Sequence, residues 1–180
     1  MKNLLLIVFT ALTLSYCSKN NDIPQTPQDQ LPAITTTGAN TTGCLINGQV
    51  FLPKGYLPIG NLFAFYENGL NFGLGITENI NGNLRTVNIG SLNQNLHDNI
   101  GIPLQLNIRQ PNSKYGEYNI NSVAFPDPNY YSTNSTVTGE LTITYHNFNN
   151  AILSGTFWFD AINANGVKAE VRNGRFDIKY

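Results

Sequence analysis

Two histidines, His97 and His146, and two cysteines, Cys17 and Cys44, are the strongest nucleophiles and metal ligands in this chain of 180 residues. Nucleophilic catalysis needs a serine or cysteine beside a base, and no Gly-x-Ser-x-Gly elbow occurs. His97 with Asp98 offers an imidazole and a carboxylate, but no further Cys or His stands at zinc-ligand spacing, so they read as polar loop residues. Asn93, Asn95, Asp98 and Asn99 carry oxygens that suit calcium, although Asn-rich loops form turns for their own reasons. A glycosidase pair would come from Glu67, Glu117, Glu140, Asp160 and Glu170, which fall on different strands. Asp160, in the most apolar stretch, reads instead as a partner of Arg172 or Arg175. Gly73-Leu74-Gly75 lacks the third glycine and the helix of a phosphate cradle. Tyr130-Tyr131 beside Pro126, Pro128 and Asn129 is the most suggestive binding feature, because exposed rings with neighbouring amides stack on a sugar or a peptide. The bland alternative is that these tyrosines fold back to cap the domain. The expectation is a protein that is not an enzyme, with no cofactor, no metal, and ligand-binding loops around Tyr130, Tyr131 and His97.

Those loops need an address and a scaffold. Lys2 followed by apolar Leu4 to Leu14 has the layout of an export signal, and the run is shorter than the ~20 residues that span a bilayer. Its end, Leu14-Ser15-Tyr16-Cys17, resembles the lipobox of bacterial lipoproteins, in which the cysteine thiol is acylated and the signal is cut just before it; Tyr16 stands where Gly, Ala or Ser is usual. The resemblance implies a signal over 1–16 and lipid attachment at Cys17. Cleavage after Ser15 is the other reading, and it would free Cys17 to pair with Cys44 in an oxidising compartment. An acylated Cys17 leaves Cys44 as a buried small hydrophobe. Residues 17–41, rich in Pro, Gln and Thr, have the composition of a flexible tether. Charged residues are only 12% of the chain and the net charge is -1, which gives no basic stripe for nucleic acid and no polybasic membrane patch.

The rest, 42–180, is long enough for one domain with a single core. Asn-Gly pairs at 47–48, 68–69, 81–82, 165–166 and 173–174 are type I′ hairpin signals. Apolar residues alternate with period two through Leu70–Ile76, Val137–Tyr145 and Phe176–Tyr180, setting Asp177 among the outward residues. Ile152 to Ala161, with Phe157 and Phe159 on one face and Trp158 and Ile152 on the other, reads as a central strand. These patterns predict an all-β fold, an antiparallel sandwich or barrel-like meander of about eight to ten strands. The least regular stretches, Ser91–Gly101 and Phe125–Ser135, are the expected long loops.

Leu31-Pro32-Ala33 through Thr37 to Gly48, Thr136 to Thr144, and Gly155 to Ala161 with Gly174 to Asp177 resemble an uncharacterised family of Bacteroidetes-type exported lipoproteins carrying a domain of unknown function; the chain departs from it at Ala33 and Thr42. The resemblance implies an export route, a lipid anchor and an all-β domain, and brings no catalytic residues. The expected protein is extracytoplasmic, held on the outer membrane at its periplasmic or surface face, and binds a glycan, a peptide or an envelope protein. A purely structural envelope protein and a lipocalin-like carrier of apolar cargo are the alternatives.

Overall fold

Asn-Gly turns fold the first half of the domain into hairpins. Asn47-Gly48, Asn68-Gly69 and Asn81-Gly82 all have both residues at positive φ, the conformation a two-residue type I′ turn requires. They join β1 (Thr41–Ile46) to β2 (Gln49–Phe51), β3 (Leu62–Glu67) to β4 (Asn71–Ile80), and β4 to β5 (Asn83–Ser91). The computed structural model describes residues 26–122 and 126–180; Cys17 and the expected signal lie outside them. After β5 come β6 (Pro103–Leu106), β7 (Lys114–Ile120), β8 (Tyr130–Ser132), β9 (Gly139–Asn147), β10 (Ile152–Ile162) and β11 (Lys168–Lys179).

The eleven strands form one antiparallel sheet in the order β2-β1-β11-β10-β8-β7-β5-β4-β3, with β9 pairing β10 and carrying β6 on its far side. It folds over on itself without closing. β8 joins the halves by pairing β7 over 117–119 and touching β10 at Ile162↔Ser132. At the open seam one parallel bridge, Lys54↔Glu78, brings the segment after β2 against β4. Phe72 of β4 stacks on Phe176 of β11 at 5.8 Å across the interior. Phe51, Leu74, Ile89, Leu141 and Phe159 fill the space around them, each fully buried side chain contributing ~1.5–3 kcal/mol relative to exposure.

β10 is central, as its two-faced apolar pattern predicts: β11 lies on one side and β9 on the other. The alternation fails in two places. In β9 the register slips between Ser154↔Tyr145 and Gly155↔Ile143, so Thr144 is an extra residue and His146, not Tyr145, is the buried side chain. Such a bulge re-aims every later side chain on its strand. In β11, Asn173 adopts positive φ inside the strand, so Asn173-Gly174 is an irregularity where Trp158 is skipped by the pairing, not the expected hairpin. Gly174 has no side chain there because the ring of Phe157 lies on it; a Cβ would meet that ring at 2.3 Å.

Part of the segment read as tether is docked on the domain. Residues 27–30 form a 3-10 turn, Leu31 is buried, and residues 35–39 lie across Asp177. That carboxylate is 1% exposed. It accepts from Thr35 Oγ1 (2.6 Å), the amides of Thr37, Gly38 and Ala39 (2.9, 2.8 and 3.1 Å) and Ser154 Oγ (2.7 Å). Asp177 is thus on the outer face, as the period implies, yet buried beneath this strap. The hydrogen bonds hold its carboxyl well below the usual carboxylate range against the opposing effect of burial. Cys44 of β1 is fully buried in the core, which pushes its thiol well above the usual range.

Candidate functional site

β7 alternates between two faces that look alike in sequence. Gly116 and Tyr118 turn inward, Gly116 lying under the ring of Phe159. Tyr115, Glu117 and Asn119 turn outward, and all three are nevertheless buried. What covers them is partly local. Gly73 of β4 and Gly90 of β5 are bare so that the rings of Phe65 and Tyr115 can lie against them, a Cβ at either meeting the ring at 2.2 and 2.4 Å. This explains Gly73 without phosphate chemistry. Above them arches the loop between β6 and β7, pinned by Ser113 Oγ, which donates within this loop, and by a hydrogen bond from Thr133 Oγ1 to the Asn107 carbonyl.

That loop delivers Arg109. Its guanidinium lies 4.8 Å from the ring centroid of Tyr115 and 3.3 Å from Glu117 Oε1. The Glu117 side chain is 5% exposed while that of Arg109 is 57% exposed, so the acid forms the floor and the cation the rim. Three adjoining grooves of 490, 330 and 250 Å³ share these two residues. One runs past Asn88, Asn119 and Tyr130, one past Ser132 and Asn163, and one past Phe63 and Phe65. Burial and then the Glu117 carboxylate push the Tyr130 hydroxyl well above its usual range, so it stays a neutral donor. The combined surface offers a carboxylate, amides, a hydroxyl, a guanidinium and aromatic faces, and Glu117 is the sole carboxylate among the described residues that line it.

A second cluster closes one end of the core. The loop after β5 inserts Leu96, fully buried, as a plug, its amide donating to Tyr66 Oη at 3.1 Å. The next residue, His97, is exposed, and its Nδ1 lies 3.1 Å from Nδ1 of His146. His146 Nε2 lies 2.9 Å from the hydroxyl of Tyr180. Phe148 packs on both imidazoles at 4.8 and 4.1 Å, and Tyr66 meets His146 edge-on at 5.1 Å. Burial, and then His97, bring the His146 pKa down to about 4. The opposite end of the core is closed by the Glu78–Arg85 ion pair, with Arg85 5.4 Å from the Phe51 ring centroid.

The residues singled out in sequence are therefore divided. Tyr130 and Tyr131 lie on β8 and not in an exposed loop. Tyr130 is buried beside the Glu117 groove, while Tyr131 turns to the core and packs on Tyr118 at 5.6 Å. Successive strand residues must point to opposite faces, so the two rings cannot form one platform. His97 packs with His146, and among the described residues no hydrogen bond or ring pair joins it to either tyrosine. Asn95 and Asn99 spend their amides on the turn itself, Asn95 Oδ1 accepting from the His97 amide at 2.9 Å. Asp160 pairs with Arg172 at 2.5 Å, as expected, and with Lys168 at 3.3 Å. These two pairs belong to the outer face of β10 and β11, where Trp158 donates to Glu140 and lines a groove of 520 Å³. Sequence reasoning missed Arg109 and the convergence on Glu117. The available signal was an acid centred among outward tyrosine and asparagine on one strand, with paired glycines on the strands beside it.

No curated protein and no solved structure matches the chain. A family's sequence model does match, over residues 86–177. The match takes in β6 to β10, the last two thirds of β5 and most of β11, hence Arg109, Glu117, Tyr130 and both histidines, and it leaves out the first four strands. The chain belongs to the family described as Domain of unknown function (DUF6252).

Proposed function

We propose that this protein is a non-enzymatic, lipid-anchored binding module of the cell envelope, and that it holds a neutral glycan in the groove over Glu117. The observation that carries this reading is a nearly buried carboxylate on the outer face of a sheet, ringed by Asn88, Asn119 and Tyr130 and flanked by the Tyr115, Phe65 and Phe63 rings. The core does not need a charge there: burying a carboxylate is costly unless it is paired, and Arg109 on the rim, 3.3 Å from Oε1, is the cation that pairs with it. Carboxylate and amides accept and donate to sugar hydroxyls, and aromatic faces stack on the apolar face of a pyranose. A lone carboxylate suits binding, because glycoside hydrolysis requires two about 5–10 Å apart.

The anchor rests on the resemblance of Leu14 to Cys17 to a lipobox. No helix among the described residues is long and apolar enough to cross a membrane. The groove is tested by titrating the protein with a panel of neutral oligosaccharides, read by amide chemical shifts. Shifts at Asn88, Glu117 and Asn119 that Glu117→Gln weakens tenfold or more support it; a panel that moves none of these amides refutes it. Mass spectrometry of the mature protein tests the anchor. A Cys17→Ala variant should lose both the lipid mass and membrane fractionation, and unchanged fractionation would sink the lipoprotein reading.

A further inference from the structure

We propose that His97 and His146 form a two-imidazole site for a divalent transition metal of the copper and zinc type. Their Nδ1 atoms are 3.1 Å apart. Two nitrogens bound at about 2.05 Å to one ion lie ~2.9 Å apart at a right angle and ~3.3 Å apart at the tetrahedral angle, and the observed separation falls between. The ring centroids are 5.0 Å apart, less than the ~5.4 Å of two imidazoles meeting nitrogen to nitrogen on a straight line, so the approach is bent and leaves one side for an ion.

The surroundings are those of a supported ligand. A metal-bound histidine usually engages its other ring nitrogen with a partner that fixes tautomer and orientation, and His146 Nε2 has Tyr180 Oη at 2.9 Å. With Nε2–H donating to that hydroxyl, the His146 Nδ1 lone pair is turned toward His97. Phe148 and Tyr66 wedge the ring. The β9 bulge is what turns His146 to this place. In the metal-free protein a hydrogen bond from His97 Nδ1–H to His146 accounts for the same distance. Binding an ion moves that proton to His97 Nε2, so no net acid–base reagent is needed. Among the described residues no third His, Cys, Asp or Glu joins the pair, so the site leaves coordination positions open to water or a partner's ligand. Imidazole nitrogen favours Cu²⁺ above Zn²⁺, and neither Mg²⁺ nor Ca²⁺ competes.

The test uses the whole protein with Cu²⁺, Zn²⁺ and Mg²⁺ as separate probes. The expected result is one Cu²⁺ per chain with an electron paramagnetic resonance spectrum carrying two imidazole nitrogens, weaker Zn²⁺ uptake and no Mg²⁺ uptake. His97→Ala, at an exposed position that leaves the core intact, should lower Cu²⁺ affinity tenfold or more, and Tyr180→Phe should lower it less. Cu²⁺ binding that survives His97→Ala undiminished, a spectrum with a single imidazole, or no uptake at all would overturn the assignment.

Discussion

Replacing Asp177 with asparagine keeps the shape of the side chain and removes its charge, so it isolates what the strap owes to the carboxylate. Oδ1 accepts from the Gly38 amide and Ser154 Oγ, and Oδ2 from Thr35 Oγ1 and the Thr37 and Ala39 amides. The side-chain amide nitrogen introduced by Asp177→Asn must take one of these two places. At the Oδ2 position it would face two fixed N–H donors; at the Oδ1 position it faces one, and Ser154 can rotate to accept. The second arrangement therefore wins, with one backbone amide left opposite a donor. Losing that bond costs about 1–3 kcal/mol, and each remaining bond falls from the charge-assisted to the neutral range. Undocking of the strap sets an upper limit, because residues 35–39 can return their amides to water. The net expectation is a loss of about 3 kcal/mol, read as a fall of ~1–2 M in the urea midpoint for a protein of this size. Amide exchange should locate it, with Gly38 and Ala39 accelerated far more than the β10–β11 ladder. The pH dependence has a definite sign. The folded carboxyl titrates below its unfolded value of about 3.9, so its contribution is complete above that value and is lost as pH falls through the lower, folded one. Asp177→Asn should lack this part of the acid limb. A midpoint change below ~0.3 M, with Gly38 and Ala39 exchange unaltered, would refute the assignment of the strap to this carboxylate.

Cys44 should be unreactive in the native state: in a Cys17→Ala background it is the single thiol, and a disulfide reagent at about pH 8 should label it only as fast as the protein unfolds, prompt labelling showing that β1 opens locally. Gly139→Ala would set a Cβ 2.2 Å from the Trp158 carbonyl oxygen and 2.3 Å from Phe159 Cβ, rigid neighbours that cannot yield, so a loss of about 2 kcal/mol or more is expected by thermal unfolding, and an unchanged Tm would contradict the packing of β9 on β10.

Period-two patterning and Asn-Gly turns determined the class of fold, because side-chain alternation and positive φ are local demands that each strand and turn must meet alone. The centrality of β10 was legible for the same reason: Phe157 and Phe159 against Trp158 and Ile152 require neighbours on both sides. Three short strands, β2, β6 and β8, carry too few residues to display a period, and only their partners define them. Tertiary structure alone decided the rest. A bulge at Thr144 inverts the phase of β9 and brings His146 to His97, 49 positions away in sequence. Asp177 has the spacing of an exposed residue and is buried only because residues 35–39 cross over it. Glu117 was one acid among several until Arg109 of the β6–β7 loop and Tyr130 of β8 converged on it beside Tyr115 of its own strand. The physical reason is common to all three: a local pattern records which face a side chain takes, whereas what covers that face is set by chain segments whose distance in sequence leaves no periodic trace.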